Sequence, residues 1–377
     1  MVAYFSELSL SGQTAYAQLL DATLAAEHAR SVADLPGSFA AKTVRGHKYW
    51  YFQYTEPSGK LRQVYIGPDG PALHRLVERK RRASALPPLE AFAKAALALG
   101  CVGVLRRHFR VIRRLADYGF FRVGGVLVGT HAFLSYGNML GVRWGAAERT
   151  QEIDFAHAGK SVALAVPTDL EVQTSEAIRS IDMGFLPISS LSSRRAAGYL
   201  NPKEPGFRLD FLTTCHRGKE KPFEHRQLHV ILQPLKFMEF LLEHLQQAAL
   251  FCEEGSVLVN VPHPARYALH KLLVFGERTG TFAAKASKDL AQAGHILACL
   301  KPHRGAEVEE AWNDLSNRGK GWMSRARQGM AALDAAFPDV AIRAWLPLSM
   351  SVPASPRGVG HSRARRRARR KVARGKG

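Results

Sequence analysis

The sequence predicts an α+β protein: a mixed sheet flanked by helices, with a small β-rich domain near the N-terminus and a helical C-terminal region. Three observations lead there. Between Phe121 and His263, short strand-like runs alternate with helical apolar spacing. Upstream, three runs of period-two alternation, rich in aromatics, are bounded by turn formers. Downstream of His263 the apolar spacing is helical. The expected organisation is an N-terminal helix and three-stranded sheet over 1–70, a helical connector over 71–120, the α+β core over 121–300, a helical region over 301–350 and a basic tail over 351–377.

A chain of 377 residues, 46% hydrophobic, can bury a core without special devices. Its four cysteines (Cys101, Cys215, Cys252, Cys299) show no paired spacing, which argues against a disulfide framework or a structural zinc site. The first twenty residues lack the basic start and apolar block of a secretory signal. The longest apolar run, Ala91–Leu105, contains Lys94 and is too short to span a bilayer. A cytoplasmic protein with no membrane partner is expected. The formal charge is +21, and Arg357–Gly377 holds ten Lys/Arg and no acid. Such a tail is expected to be disordered and to attract polyanions, either as a solubilising end or as a nucleic-acid arm.

Along the chain, Gln13–Ala33 has helical spacing and ends at the turn "DLPG". The runs "SFAAKTV", "HKYWYFQY" and "LRQVYIG" read as three strands, the last two joined by "TEPSGK". Alternation puts Trp50, Phe52 and Tyr54 on one face and His47, Tyr49 and Tyr51 on the other, with Lys42, Arg45, Lys48, Lys60 and Arg62 nearby. One aromatic face suits a core; the second either packs under a helix or meets DNA or RNA. The "YW-x-F-x-Y … GK-x-R" arrangement resembles the three-stranded arm-type DNA-binding domains of tyrosine recombinases.

Pro71–Gly119 turns helical, with Leu105, Phe109, Ile112 and Leu115 as one apolar stripe among arginines. A buried strand, a glycine turn and a helix follow in Phe121–Val142, then the strand "TQEIDFA". A strand "SVALAV", a helix Thr168–Ile181 and a loop to Pro205 come next. Strands "FRLDFLTT" and "SVLVNVP" follow, then a helix from about His263. A last helix spans about Gly305–Ala336, with Val308, Trp312, Leu315, Trp322, Met330 and Leu333 as its core positions.

Two carboxylates one residue apart in "TQEIDFA" share a strand face, opposite Ile153 and Phe155, and repel each other unless a cation intervenes. In "FRLDFLTT" the same period sets Asp210 opposite Leu209 and Phe211. If these strands are neighbours, Glu152, Asp154 and Asp210 converge, and three hard oxygen donors suit Mg²⁺ or Mn²⁺. Upstream, a strand ends at Gly129 and a helix begins near Thr130, where free N–H groups and the Thr130 hydroxyl can hold a phosphate. A solvated strand face and a chance Gly-Thr pair are the plainer alternatives.

In order, "VGTHAFLSYGN … RTQEIDF … FRLDFLT" resembles the DNA polymerase β-like nucleotidyltransferase superfamily, over roughly Val123 to Leu300. The form is most similar to a bacterial branch related to the abortive-infection toxin nucleotidyltransferases, with their "GGTAL … R-x-T-x-DID" pattern. The resemblance implies a nucleotidyltransferase-fold mixed sheet. Gly129 and Thr130 would hold the phosphates of a nucleoside triphosphate (NTP), and Glu152, Asp154 and Asp210 would ligate Mg²⁺ or Mn²⁺. Asp210 would also help activate an acceptor hydroxyl. Two features depart from the pattern: Glu152 stands where Asp is usual, and the segment between Asp154 and Asp210 is long.

The run His263–Leu297 resembles the helical pair that closes the site in those relatives. Spacings of four and seven put Tyr267, Lys271 and Arg278 on one helix face. Lys271 is the candidate for neutralising nucleotide phosphate, while Arg278, Lys285 and Lys288 are expected on a solvated face and Asp289 beside a cation. Arg143 and Arg149 flank the acidic strand as candidates to reach a phosphate or neutralise Glu152, and His131 is a candidate cap or substrate contact, with a structural histidine the plainer alternative. The expected function is metal-dependent nucleotidyl transfer from an NTP to a hydroxyl, on a nucleic acid if the basic charge is a guide. The alternatives are a catalytically inactive fold that binds nucleic acid and a toxin component of a toxin–antitoxin pair.

Overall fold

The computed structural model describes residues 4–29, 37–55, 61–84, 88–145, 150–158, 171–188, 197–215, 221–277 and 283–346. The N-terminal part comprises β1 (Phe5–Glu7), α1 (Leu10–Ala29), β2 (Gly37–Val44), β3 (His47–Thr55), β4 (Leu61–Pro68), α2 (Pro71–Ser84), α3 (Leu89–Ala98) and α4 (Arg106–Asp117). In β2–β3–β4 both neighbours are antiparallel, as the alternation requires. Val44 pairs with His47 across a two-residue turn, Arg45–Gly46, in which both φ angles are positive (51° and 80°), the geometry that matches strand twist. The turn expected in "TEPSGK" lies almost wholly outside the described residues. Helix α4 buries Phe109, Ile112 and Leu115 completely; Leu105, expected in that stripe, precedes the helix and is half exposed.

The central part runs β5 (Gly125–Leu127), α5 (Gly129–Met139), β6 (Val142–Trp144), β7 (Glu152–His157), α6 (Thr174–Arg179), β8 (Leu186–Pro187), β9 (Gly198–Asn201) and β10 (Glu204–Thr214). It continues through β11 (Phe223–His225), β12 (Val230–Leu235), α7 (Met238–Leu242), β13 (Leu245–Cys252) and β14 (Gly255–Pro262). A seven-stranded sheet is ordered β11-β12-β10-β7-β5, with β9 on β10 and β8 on β9. It is mixed: β10 is parallel to β7 and β12, while β5–β7, β9–β10 and β11–β12 are antiparallel. The β13–β14 hairpin backs β5, where the Asn260 amide donates to the Phe121 and Gly125 carbonyls at 2.8 and 2.9 Å.

Several expectations change here. Residues 171–173 are not helical, so α6 begins at Thr174 instead of Thr168. The expected loop to Pro205 contains β8 and β9. The strand expected at "SVALAV" lies outside the described residues. So does the basic tail.

The chain then forms α8 (Pro264–Glu277), α9 (Ala283–Ser316), α10 (Lys320–Ala336) and α11 (Ile342–Trp345). The single helix expected over Gly305–Ala336 is two, because Gly319 takes φ +112° and ends the run. Helix α9 kinks near Pro302, which lacks the N–H for an i→i−4 bond; Arg304 carries the non-helical angles. Val308, Trp312, Leu315, Met330 and Leu333 are buried as expected, and Trp322 only partly so. These helices share one apolar core with the sheet, from Phe109 to Leu346. Among the described residues, no helix is long and apolar enough to cross a membrane.

Candidate functional site

Strands β7 and β10 lie side by side and parallel, with Asp154 opposite Asp210 and Glu152 opposite Arg208. Because successive side chains alternate, Ile153, Phe155, Leu209 and Phe211 are fully buried on the other face, where Phe155 and Phe211 stack at 5.3 Å. Burying that apolar face fixes the register, and a one-residue slip would send the acids into the core. Asp154 and Asp210 are thereby neighbours, as the expected convergence requires.

Two glycines make room for these acids. Gly129 opens α5 with φ +59°, and a Cβ there would fall well inside contact distance of Asp154 Oδ2. Gly198, on β9 opposite Asp210, would carry a Cβ 2.9 Å from Asp210 Oδ1. The Val128 N–H donates to the Asp154 carbonyl at 2.9 Å, which fixes the turn against β7. Tyr267 of α8 reaches the turn from behind, its hydroxyl 2.9 Å from the Gly129 carbonyl and 2.7 Å from Gln292 Oε1. The Thr130 hydroxyl faces the Gln292 amide at 3.4 Å and is buried, so the N–H groups at the start of α5 are the better phosphate donors of this turn.

Burial, with Asp210 and Glu152 close by, pushes the Asp154 carboxyl up from 3.8 to about 6, against the opposing pull of Lys271 and Lys285. Burial raises Asp210 as well, opposed chiefly by Arg208. Paired acids that resist ionising together are a donor set that a divalent cation would relieve. Among the described residues, no three His, Cys, Asp or Glu side chains are gathered to hold a metal ion as they stand. Glu152 is turned toward Lys285, whose Nζ lies 3.2 and 3.1 Å from its two carboxylate oxygens. The donor chemistry fits Mg²⁺ or Mn²⁺, with Asp154 and Asp210 already adjacent and Glu152 held by an exposed ammonium.

Lys285 is exposed, as expected of a solvated face, and from there pairs with Glu152; Arg143 and Arg149 were the expected candidates to reach a phosphate or neutralise Glu152. Arg143 sits on β6, opposite Ser6 of β1, and Arg149 lies outside the described residues, as does Arg278. Lys271 pairs with Asp289 at 2.6 Å, the cation expected for that acid, and its Nζ lies 5.1 Å from the centre of the Tyr267 ring. His131 makes no side-chain cap hydrogen bond at α5 and sits as a buried, structural histidine. Its Nε2 lies 3.0 Å from Nδ1 of His108.

Arg208, Gly198 and Gln292 were missed. Arg208 was legible from the period of two, since it precedes Asp210 by two residues on the same face. Gly198 and Gln292 join the site through pairing and packing that no local pattern announces.

A family model described as a nucleotidyltransferase matches residues 106–317 of this chain, the stretch that holds all of these residues. No curated protein matches the chain. A crystal structure of an antigenic nucleotidyltransferase-like protein from Paracoccidioides brasiliensis aligns over 64% of this chain and 94% of its own, at 12% identity and a TM-score of 0.34.

Proposed function

Because the chain belongs to the nucleotidyltransferase family, we propose that it transfers a nucleotidyl group from an NTP to a hydroxyl acceptor, with Glu152, Asp154 and Asp210 holding Mg²⁺ or Mn²⁺. The observation that supports this most is the register pairing of Asp154 with Asp210 beside the Gly129 turn. When bound, divalent ions supply charge neutralisation to the attacking and leaving oxygens of an in-line phosphoryl displacement. The N–H groups at the start of α5 would bind the terminal phosphates of the NTP. Lys271, with Arg208 and Lys285 on the rim, would offset phosphate charge and orient the NTP, since positioning and electrostatics dominate this chemistry. Asp210, whose proton affinity burial raises, would draw the proton from the acceptor hydroxyl.

The formal charge of +21 favours an acceptor on a nucleic acid. The test is incubation with Mg²⁺ or Mn²⁺, each labelled NTP and total bacterial RNA, beside Asp154→Asn/Asp210→Asn. Label that enters RNA or protein with wild type and vanishes in the variant is expected. Absence of transfer with every NTP, together with absence of carboxylate-dependent metal–NTP binding by calorimetry, would overturn it.

The Lys285–Glu152 pair favours a second reading, in which the fold binds nucleic acid without transfer. Metal binding that depends on Glu152 and Asp154 separates the two.

A further inference from the structure

We propose that the tyrosine face of the β2–β3–β4 sheet binds single-stranded nucleic acid by stacking its bases. Tyr49 and Tyr51 of β3 and Tyr65 of β4 lie on one face, with ring centres 6.2 Å apart for Tyr49–Tyr65 and 5.6 Å for Tyr51–Tyr65. Tyr65 is 53% exposed and the other two are half-buried. Lys42 of β2 sits over Tyr51, with Nζ 4.8 Å from the ring centre, and donates to Gln63 at 2.6 Å.

The opposite face has a different job. There Phe52 is buried and packs on Phe39 at 5.2 Å, while Trp50 meets His74 of α2 and donates to Asp69 at 2.6 Å. Packing therefore accounts for Phe39, Trp50 and Phe52, and leaves three adjacent phenol rings open.

Charge selects the partner. The three strands and their Arg45–Gly46 turn carry Lys42, Arg45, Lys48 and Arg62 and no carboxylate; Lys42 stands over a ring of the tyrosine face, whereas Lys48 lies on the opposite face, over Trp50 and 3.9 Å from Asp69. A row of aromatic faces within a basic field is how proteins hold a single strand: cations meet phosphates and rings stack on bases. A duplex offers no free base faces, so it would gain only the charge term. The inference rests on this sheet alone and stands whether or not the acidic site transfers nucleotides.

The experiment uses the full chain and fluorescein-labelled oligo(U) and oligo(dT) of about 15 nucleotides, the span that such surfaces cover, read by anisotropy at near-physiological salt. Y49S/Y51S/Y65S is expected to raise Kd by about tenfold or more, and Y49F/Y51F/Y65F by no more than about twofold, because phenylalanine still stacks. The slope of log Kd against log salt should be the same for all three proteins, since no phosphate contact is removed. In wild type, 5-iodouridine oligomers should photocrosslink to Tyr49, Tyr51 or Tyr65.

Three outcomes would overturn the proposal: unchanged affinity in a folded serine variant, a duplex of the same length competing equally, or crosslinks confined to other segments. If the serine variant does not fold, the wild-type crosslinks and the duplex competition decide. A serine variant that changes sedimentation mass but not affinity would give the face to a second copy of the chain.

Discussion

Gly129 stands where any side chain would strike Asp154. Its φ of +59° and the place its Cβ would take, against Asp154 Oδ2, make glycine a requirement of the site and of the turn at once. Gly129→Ala should cost about 2 kcal/mol or more in urea unfolding, from left-handed strain plus the overlap. It should also weaken NTP binding by calorimetry. Wild-type stability in this variant would show that the turn relaxes freely and that the glycine is incidental.

Gly198 offers the contrast. Its backbone is unstrained, and the atom that a Cβ would meet, at 2.9 Å, is the movable end of Asp210. Gly198→Ala should therefore unfold within about 0.5 kcal/mol of wild type while displacing Asp210. Mn²⁺ affinity is the readout: a clear loss with stability kept is expected, and unchanged affinity would separate Asp210 from the ion.

The acid pair gives a signed pH dependence. Asp154 titrates at about 6 in the folded chain against an ordinary 3.8, with burial the first cause and Asp210 the second. The folded state thus holds that proton more tightly, so the carboxylate destabilises fully above pH about 6 and the penalty is relieved as pH falls toward 4. In EDTA, Asp154→Asn should be more stable than wild type by about 1–3 kcal/mol at neutral pH and converge with it near pH 4. A difference independent of pH would mean that the carboxylate is not under this strain.

The buried His108–His131 pair pulls the other way. Burial lowers the two to about 4 and about 3, so the unfolded chain takes up protons first and stability drops as pH falls below about 6.5. His108→Leu/His131→Leu removes both polar partners together, which is close to neutral at pH 7, and should flatten the acid limb of the stability curve. An unaltered limb would assign acid unfolding to other groups.

What local pattern could show, it showed: the acids of β7 and β10, the glycine before α5 and the strands β2 to β4 follow from a period of two and from turn residues. The Lys285–Glu152 contact joins residues 133 positions apart, and nothing in the helical spacing of Lys285 distinguishes it from a solvated lysine. Strands β8 and β9, of two and four residues beside Ser- and Arg-rich sequence, are too short for a period to register. The break between α9 and α10 was readable at Gly319, but the continuous apolar stripe masked it.

The proposed phosphate role of Lys271 has to be separated from a structural one, because its ion pair with Asp289 is largely buried, with side-chain exposures of 14% and 5%. Lys271→Met removes the ammonium and leaves the buried Asp289 carboxylate without that cation, which should cost about 3–5 kcal/mol. Loss of NTP binding in that variant alone would therefore say little. Lys271→Met/Asp289→Leu removes both charges, and apolar replacement of a buried pair is often neutral. The double variant should regain most of the stability in urea unfolding and still bind NTP more weakly than wild type, since the charge that offsets phosphate is gone. Recovery of both stability and NTP affinity would confine Lys271 to holding α8 against α9, and would leave Arg208 and Lys285 as the cations to test next.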